Sequence, residues 1–214
     1  MILHVRRAEF KDMNRPIKTC RSGSCKDCDI SLRTNCYFNS CQLLEFYVIS
    51  SPSFILGGIG IYSNSPTSFF IWLLIIILFF FVIEIRVLCS HCPHYENSKM
   101  LLKCWANSGA PKLWRFRPWP MNIFEKSILI TGFSIVWGYP LVFFLLTKSW
   151  WYSIFYSLLT VAFFILLSLR NCVKCINFSC PLNRVGNDTK NRFTENNPVF
   201  NHTENLKTQL TSKR

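Results

Sequence analysis

Charged side chains are missing from three long stretches of this sequence. No Asp, Glu, Lys or Arg occurs between Glu45 and Glu84, and two further charge-free stretches cover residues 127–147 and 149–169. A soluble fold of 214 residues would not gather its apolar half and its 20 Phe residues in this way. The absence of charge therefore excludes a single soluble domain and predicts membrane segments.

The lengths of these stretches agree with the apolar core of a bilayer, about 30 Å thick, which roughly 20 helical residues cross. The first stretch is long enough for two spans, and the turn-forming sequence SNSPTS at 63–68 interrupts it. The fold class predicted is an all-α integral membrane protein whose four transmembrane helices form two hairpins. The predicted helices cover residues 45–62, 69–88, 127–147 and 150–169. We expect the glycines at 57, 58 and 60 to serve helix packing.

These spans divide the chain. The predicted order is a cytoplasmic cysteine-rich segment (1–44), a transmembrane hairpin (45–88), a cytoplasmic loop rich in Cys and Trp (89–126), a second hairpin (127–169), a cytoplasmic cysteine motif (170–184) and a polar tail (185–214). We expect the tail to be disordered because it is rich in Asn, Thr and Lys. The first 40 residues lack the apolar core that a secretory signal requires.

Positive charge lies almost wholly on one side of the predicted membrane. All of the 24 Lys and Arg residues except Lys148 fall on the side that holds both termini. Cytoplasmic loops carry such an excess, so we expect both termini and the cysteines to be cytoplasmic. The net charge of +13 then favours contact with anionic membrane lipids. We expect no nucleic acid partner, because no basic run carries a recognition motif.

All 11 cysteines lie on this same side and none lies in a predicted span. Disulfides are rare in a reducing cytosol, so clustered cysteines indicate metal ligands or redox thiols. Two CxxC turns can surround one tetrahedral metal. Three CxxC pairs occur, each followed by another cysteine, and the nine candidate ligands are Cys25, Cys28, Cys36, Cys89, Cys92, Cys104, Cys172, Cys175 and Cys180. We favour the pairs at 89/92 and 172/175, since each follows a span that ends in an arginine.

The metal is left open between an iron–sulfur cluster, which would carry electrons, and structural zinc, which would only join segments. Cys180 followed by Pro181 resembles the Cys-Pro that ends bacterial iron–sulfur runs, although the preceding spacing differs. The nine residues CRSGSCKDC, from Cys20 to Cys28, resemble the cluster-binding loop of plant-type ferredoxins. That resemblance implies Cys20, Cys25 and Cys28 as ligands, but not the fold of that family. The grouping of Cys25 and Cys28 with Cys36 is equally consistent with the spacing.

Other side chains near these motifs have two interpretations each. His91 and His94 flank Cys92 and are either alternative ligands or solvated side chains. Glu84 is an acid inside an apolar run, where it would mark a proton or ion site or simply reach for the interface, and we favour the interface. The tryptophans of the loop, with their cationic neighbours, are expected on the membrane surface, beside a pocket for a lipid headgroup or a quinone.

No Walker loop, dinucleotide fingerprint, HExxH or GxSxG motif occurs, and the sequence leaves open whether the protein is an enzyme. The leading hypothesis is a multi-pass membrane protein whose cysteine-ligated centres, iron–sulfur rather than zinc, exchange electrons with a redox partner protein or a quinone. One alternative is a membrane scaffold with structural zinc sites. Another is a thiol redox protein that uses free CxxC pairs and needs a thiolate of lowered pKa.

Overall fold

Four helices of the computed structural model are long and apolar enough to cross a membrane. The structure describes residues 17–22, 25, 28–31 and 33–201, and within these ranges it contains no β-strand. The helices are α1 (Ser40–Asn64), α2 (Pro66–His91), α3 (Pro93–Asn97), α4 (Ile123–Leu146), α5 (Trp150–Cys172) and α6 (Asn187–Asn196), of which α1, α2, α4 and α5 are the candidate spans. The prediction of an all-helical chain with four apolar spans is confirmed.

A single residue, Ser65, separates α1 from α2. Its hydroxyl accepts the Ser68 N–H at 3.3 Å and so caps α2. Pro66 occupies the first turn of α2, where its missing N–H leaves no hydrogen bond unmade. The turn predicted from SNSPTS therefore exists, but it is shorter than expected because α1 continues through Asn64.

Aromatic side chains pack between the four spans. The ring of Trp137 on α4 stacks on Phe163 of α5 with centroids 5.4 Å apart, and the indole N–H of Trp72 on α2 donates to the Val136 carbonyl at 2.9 Å. Glycines allow these rings to approach the backbone. A Cβ on Gly60 would lie 2.7 Å from the Phe144 ring, so this glycine is required by packing, as expected from the sequence.

Two spans widen into π-helical turns where they approach the cysteine motifs. In α2 the turn covers Phe79–Ile83, and in α5 it covers Leu167–Cys172. π-Turns inside α-helices are rare and occur frequently at functional sites. The two spans that end in Arg and CxxC thus share a backbone feature that hydropathy does not reveal.

The tail contains a helix where disorder was predicted. Helix α6, Asn187–Asn196, lies within the 185–214 stretch, and its Phe193 is buried against Ile17, Ile30 and Ile176. The backbone N–H of Arg21 also donates to the Asn196 carbonyl at 2.8 Å. One buried aromatic ring fixes this polar helix, a contact that composition does not indicate. Residues 1–16 and 202–214 of the predicted terminal segments lie outside the described residues.

Candidate metal centre

Six cysteines border one cavity of about 610 Å³ at the end of the helix bundle. They come from three separate parts of the chain: the end of α2 with the residue that follows it, the loop before α4, and the end of α5 with the segment that follows it. The two favoured CxxC pairs are therefore brought together, and the third cysteine of each motif joins them. The six are Cys89, Cys92, Cys104, Cys172, Cys175 and Cys180.

The first pair is positioned by the end of α2. Cys89 begins a 3-10 turn, and the Cys92 N–H closes it by donating to the Cys89 carbonyl at 2.9 Å. Pro93 then starts α3, whose His94 and Tyr95 also border the cavity. The side chain of Asn177 donates to the Leu88 carbonyl at 3.0 Å and so joins this turn to the segment that follows α5.

The segment after α5 is closed on itself by hydrogen bonds. The Asn183 amide donates to the Cys175 carbonyl at 2.6 Å, and the Arg184 N–H donates to the Cys172 carbonyl at 3.1 Å. These bonds fold the chain back after the CxxC pair. As a result Cys180 returns to the cavity although it lies five residues beyond Cys175.

Cys104 is carried by a tight loop between Leu102 and Ala110. The Leu102 N–H donates to the Ala110 carbonyl at 2.8 Å, and Gly109 has a φ of +85°, which favours glycine. The same loop places Asn107 over the first cysteine pair, where its amide donates to the Cys89 sulfur at 3.2 Å. No sequence motif pointed to Asn107 or to Asn183.

Glu84 borders the cavity instead of reaching for the membrane interface. The residue is only 6% exposed, and one of its carboxylate oxygens has no hydrogen-bond partner. The carboxylate interacts with the Asn107 side chain. The interpretation that we favoured from the sequence is therefore wrong. The reason is the π-turn before Glu84, which changes the face that this part of α2 presents.

The thiols outside the spans have pKa values that favour the neutral form. Burial raises the pKa of Cys92, Cys104 and Cys175, and it raises the pKa of Cys180 to about 12. Neighbouring thiols add to the effect at Cys92, Cys175 and Cys180. A nucleophilic cysteine requires the opposite shift. A metal, by contrast, binds thiolates by displacing their protons.

The six thiols are spread around the cavity and do not converge on one position. In the part of the chain that the structure describes, no three His, Cys, Asp or Glu side chains converge as the ligands of one metal ion would. Tetrahedral zinc with Zn–S bonds of about 2.3 Å needs its four sulfurs in mutual contact. A six-cysteine cavity of this size has the dimensions for a polynuclear group or another small molecule.

A second set of four cysteines borders a separate, small pocket. It contains Cys25, Cys28 and Cys36, as one grouping of the sequence predicted, and also Cys20, which the ferredoxin resemblance included. Burial raises the pKa of Cys25, and it raises that of Cys36 to about 12. Cys41 borders neither pocket and is exposed.

The two histidines are held by other groups. His91 lies with Nδ1 2.6 Å from the Trp119 carbonyl oxygen and Nε2 3.4 Å from Glu125, and it does not border the cavity. His94 does border it, but its Nε2–H donates to the Asn35 carbonyl at 2.9 Å. Burial lowers the pKa of His94 to about 4, so the ring is neutral at pH 7. These contacts give both rings a structural role.

The loop tryptophans occupy different environments. Trp105 is buried and packs edge-on against Phe46 of α1, with centroids 5.6 Å apart, so it closes the cavity from the loop side. Trp114 and Trp119 are about half exposed, and the Arg86 guanidinium lies over the Trp114 ring at 5.5 Å. Arg86 is thus held by the loop where α2 ends.

In comparisons with known proteins, no family model, no curated protein and no solved structure matches this chain.

Proposed function

We propose that this membrane protein holds an iron–sulfur centre in the six-cysteine cavity and uses it to transfer single electrons. One observation carries the proposal: six thiols from three parts of the chain border one cavity. Cysteine thiolates are the usual ligands of iron–sulfur clusters. The first ligands that we assign are Cys89, Cys92, Cys172 and Cys175, with Cys104 and Cys180 as the remaining candidates.

Iron–sulfur is favoured over zinc by the distribution of the thiols. A structural zinc site is compact and closed, whereas these sulfurs surround a volume that also contains a buried carboxylate. The Asn107 amide already donates to one of the sulfurs, as is common around clusters, whose potentials such bonds tune. The raised pKa values of Cys92 and Cys175 argue against a free thiol redox protein.

A quinone is the electron partner that the rest of the cavity fits best. Beyond the thiols, the cavity continues between the spans, where aromatic side chains of α1, α2, α4 and α5 border it, among them Phe54, Phe80, Trp137 and Phe163. Its volume of about 610 Å³ lies in the range of small-molecule pockets, roughly 300–1,000 Å³. The flat apolar ring of a quinone can stack on these aromatic side chains while the polar edge of the ring faces Glu84. A redox protein would then exchange electrons from the aqueous side.

We further propose that the cysteine-bearing end faces the cytoplasm and the anionic headgroups of its membrane. The support is the distribution of Lys and Arg, which leaves only Lys148 at the other end. A reporter enzyme that is active only outside the cytosol, fused after Arg214, should remain inactive. Activity of that fusion would place the cysteines in an oxidising compartment and would remove the basis for a metal centre.

The metal centre itself is tested by purifying the protein anaerobically in detergent and measuring iron, acid-labile sulfide, zinc and the visible spectrum. We expect iron and sulfide in equal amounts and a broad absorption that bleaches on reduction. The double variant Cys92→Ser with Cys175→Ser should lose this centre, while Cys41→Ser, at an exposed cysteine outside both pockets, should keep it. Stoichiometric zinc without colour would establish the scaffold alternative, and absence of any metal would defeat both.

A further inference from the structure

Part of the border of the six-cysteine cavity lies on the outer surface of the helix bundle. Tyr47 of α1 and Phe81 of α2 both border the cavity, yet these residues are 47% and 46% exposed. Each lies in the half of its candidate membrane span that is nearer the cysteines. In a bilayer an exposed side chain at that position meets lipid. The cavity therefore opens towards the membrane interior between α1 and α2.

The two helices of this hairpin are in close contact near their connecting turn. The rings of Tyr62 and Phe69 pack edge-on with centroids 5.5 Å apart, and a Cβ on Gly58 would lie 3.4 Å from the Phe69 ring. Nearer the cysteines both helices border the cavity instead, α1 with Tyr47 and α2 with Phe81. The hairpin is thus closed at its turn, and the cavity separates its two helices at the other end.

The α1 side of this gap contains a small residue and a proline. Ser51 borders the cavity with a short side chain. Pro52 follows it inside the helix and has no N–H to donate to the Val48 carbonyl, so this turn of α1 is easier to bend than its neighbours. We call the gap bordered by Tyr47, Ser51 and Phe81 the portal.

The chemistry of the cavity changes between its buried part and the portal. Glu84 borders the buried part and is only 6% exposed, and one of its carboxylate oxygens finds no hydrogen-bond partner among the described residues. Apolar side chains, among them Phe54, Ile76 and Phe80, border the cavity on the two helices that form the portal. A buried polar atom requires a polar partner, and an apolar opening into lipid favours an apolar one. A molecule with a polar head and an apolar tail meets both requirements.

We propose that a lipid-soluble quinone enters the cavity sideways from the bilayer through the portal, and that its apolar tail stays in the portal while its ring is bound near Glu84. The identity of the head rests on the proposed function, in which a quinone is the electron partner. The tail gains little energy by exchanging lipid for protein, because lipid chains are as apolar as these side chains. Its part is to confine the quinone to the bilayer, into which the portal opens.

Photolabelling of the full-length protein in lipid vesicles tests the portal. The probe is a trimethyl-benzoquinone with a decyl tail that ends in a diazirine, and peptide mass spectrometry locates the label. Its ring is fully substituted, so it does not add to the cysteine thiols. We expect label on residues 47–54 of α1 and 76–81 of α2, and an excess of the same quinone without the diazirine should remove it. Tetramethyl-benzoquinone, which has no tail, should compete far less well.

Two serine variants of α1 show whether the tail passes between these helices. Ser51→Trp fills the portal and should reduce the competable label by about tenfold, as an overpacked contact does. Ser63→Trp is the matched control, because Ser63 is exposed on the same helix and does not border the cavity, and its labelling should equal that of the wild type. If Ser51→Trp does not fold, Ser51→Leu replaces it.

The outcomes separate the portal from the proposed function, since iron and sulfide are measured in the same preparations. Competable label between other spans, no competable label, equal competition by the two quinones, or unchanged labelling of Ser51→Trp would each overturn the portal. Any of these results in a protein that contains iron and sulfide would leave the metal centre standing. Competable label at the portal of a protein without iron would keep the quinone site and defeat the proposed electron transfer.

Discussion

The side-chain amide of Asn107 donates a hydrogen bond to the sulfur of Cys89 over 3.2 Å. A donor aimed at a ligand sulfur stabilises the more negative, reduced state of a cluster, so it raises the reduction potential. Asn107 belongs to the loop that also carries Cys104, and its side chain interacts with Glu84. The loop therefore contributes both a candidate ligand and a group that can tune the centre.

Replacing Asn107 by Ala should lower the midpoint potential of the proposed iron–sulfur centre. A loss of about 1.4 kcal/mol of differential stabilisation corresponds to about 60 mV for a one-electron couple. Redox titration of the purified protein measures the shift. Asn97→Ala is the control, because Asn97 is exposed at the end of α3 and does not border the cavity. An unshifted potential in Asn107→Ala would show that Cys89 is not a ligand of the redox centre.

Hydropathy predicted the spans well, because long apolar helices depend on local composition more than on distant contacts. The predicted residues 69–88 fall within α2, and the last predicted span, 150–169, falls within α5. The cysteine pairs that follow these spans do border one cavity, as their placement after Arg86 and Arg170 suggested. Whether they bind a metal stays a prediction.

The sequence could not predict features that depend on contacts between distant segments. Glu84 lies near the end of its apolar run, which favoured the membrane interface, but it follows the π-turn at Phe79–Ile83 and is buried. Asn177 occurs in an Asn-x-Ser triplet that suggests only glycosylation, yet it is 5% exposed and holds the Leu88 carbonyl. Helix α6 has the composition of a disordered tail, and its order depends on the burial of Phe193.

Substitution of Gly132 by Ala should destabilise the helix bundle. A Cβ there would overlap the ring of Phe79, the first residue of the π-turn in α2. Overpacking of this kind costs about 1–3 kcal/mol. Gly138→Ala in the same helix is the matched control, because its Cβ would meet no atom within 4 Å, and it should be neutral or stabilising.

Thermal unfolding in detergent compares these two glycine variants. A loss of 1 kcal/mol lowers the Tm of a protein of this size by roughly 2–4 °C. Because Phe79 also begins the turn that places Glu84, Gly132→Ala should reduce iron retention as well. Equal Tm values for the two variants would mean that the α2–α4 contact is not packed as closely as the structure has it.

Removal of the Arg117 side chain should destabilise the loop before α4. Its guanidinium lies 2.6 Å from the Glu125 carboxylate and also donates to the Arg86 carbonyl at 2.8 Å, with both charged side chains mostly buried. Breaking such a pair leaves a charge poorly compensated, and we expect Arg117→Ala to cost about 3 kcal/mol. Arg192→Ala removes the exposed pair with Asp29 and should cost only about 0.5 kcal/mol. Similar Tm changes in the two variants would contradict the burial of the Arg117 pair.

Replacing Glu84 by Met should stabilise the protein while impairing electron transfer. One carboxylate oxygen is buried without a hydrogen-bond partner, and an unmade bond of this kind costs about 1–3 kcal/mol, which an apolar side chain of similar length removes. A costly buried acid in a membrane segment is typical of functional sites. We expect a higher Tm together with a lower rate of quinone reduction by the dithionite-reduced protein. Glu84→Gln keeps the shape and a polar edge, so its rate should lie between those of Met and Glu. A variant that is stabilised and fully active would assign Glu84 no part in the reaction, and a destabilised Met variant would show that its carboxylate is in fact satisfied.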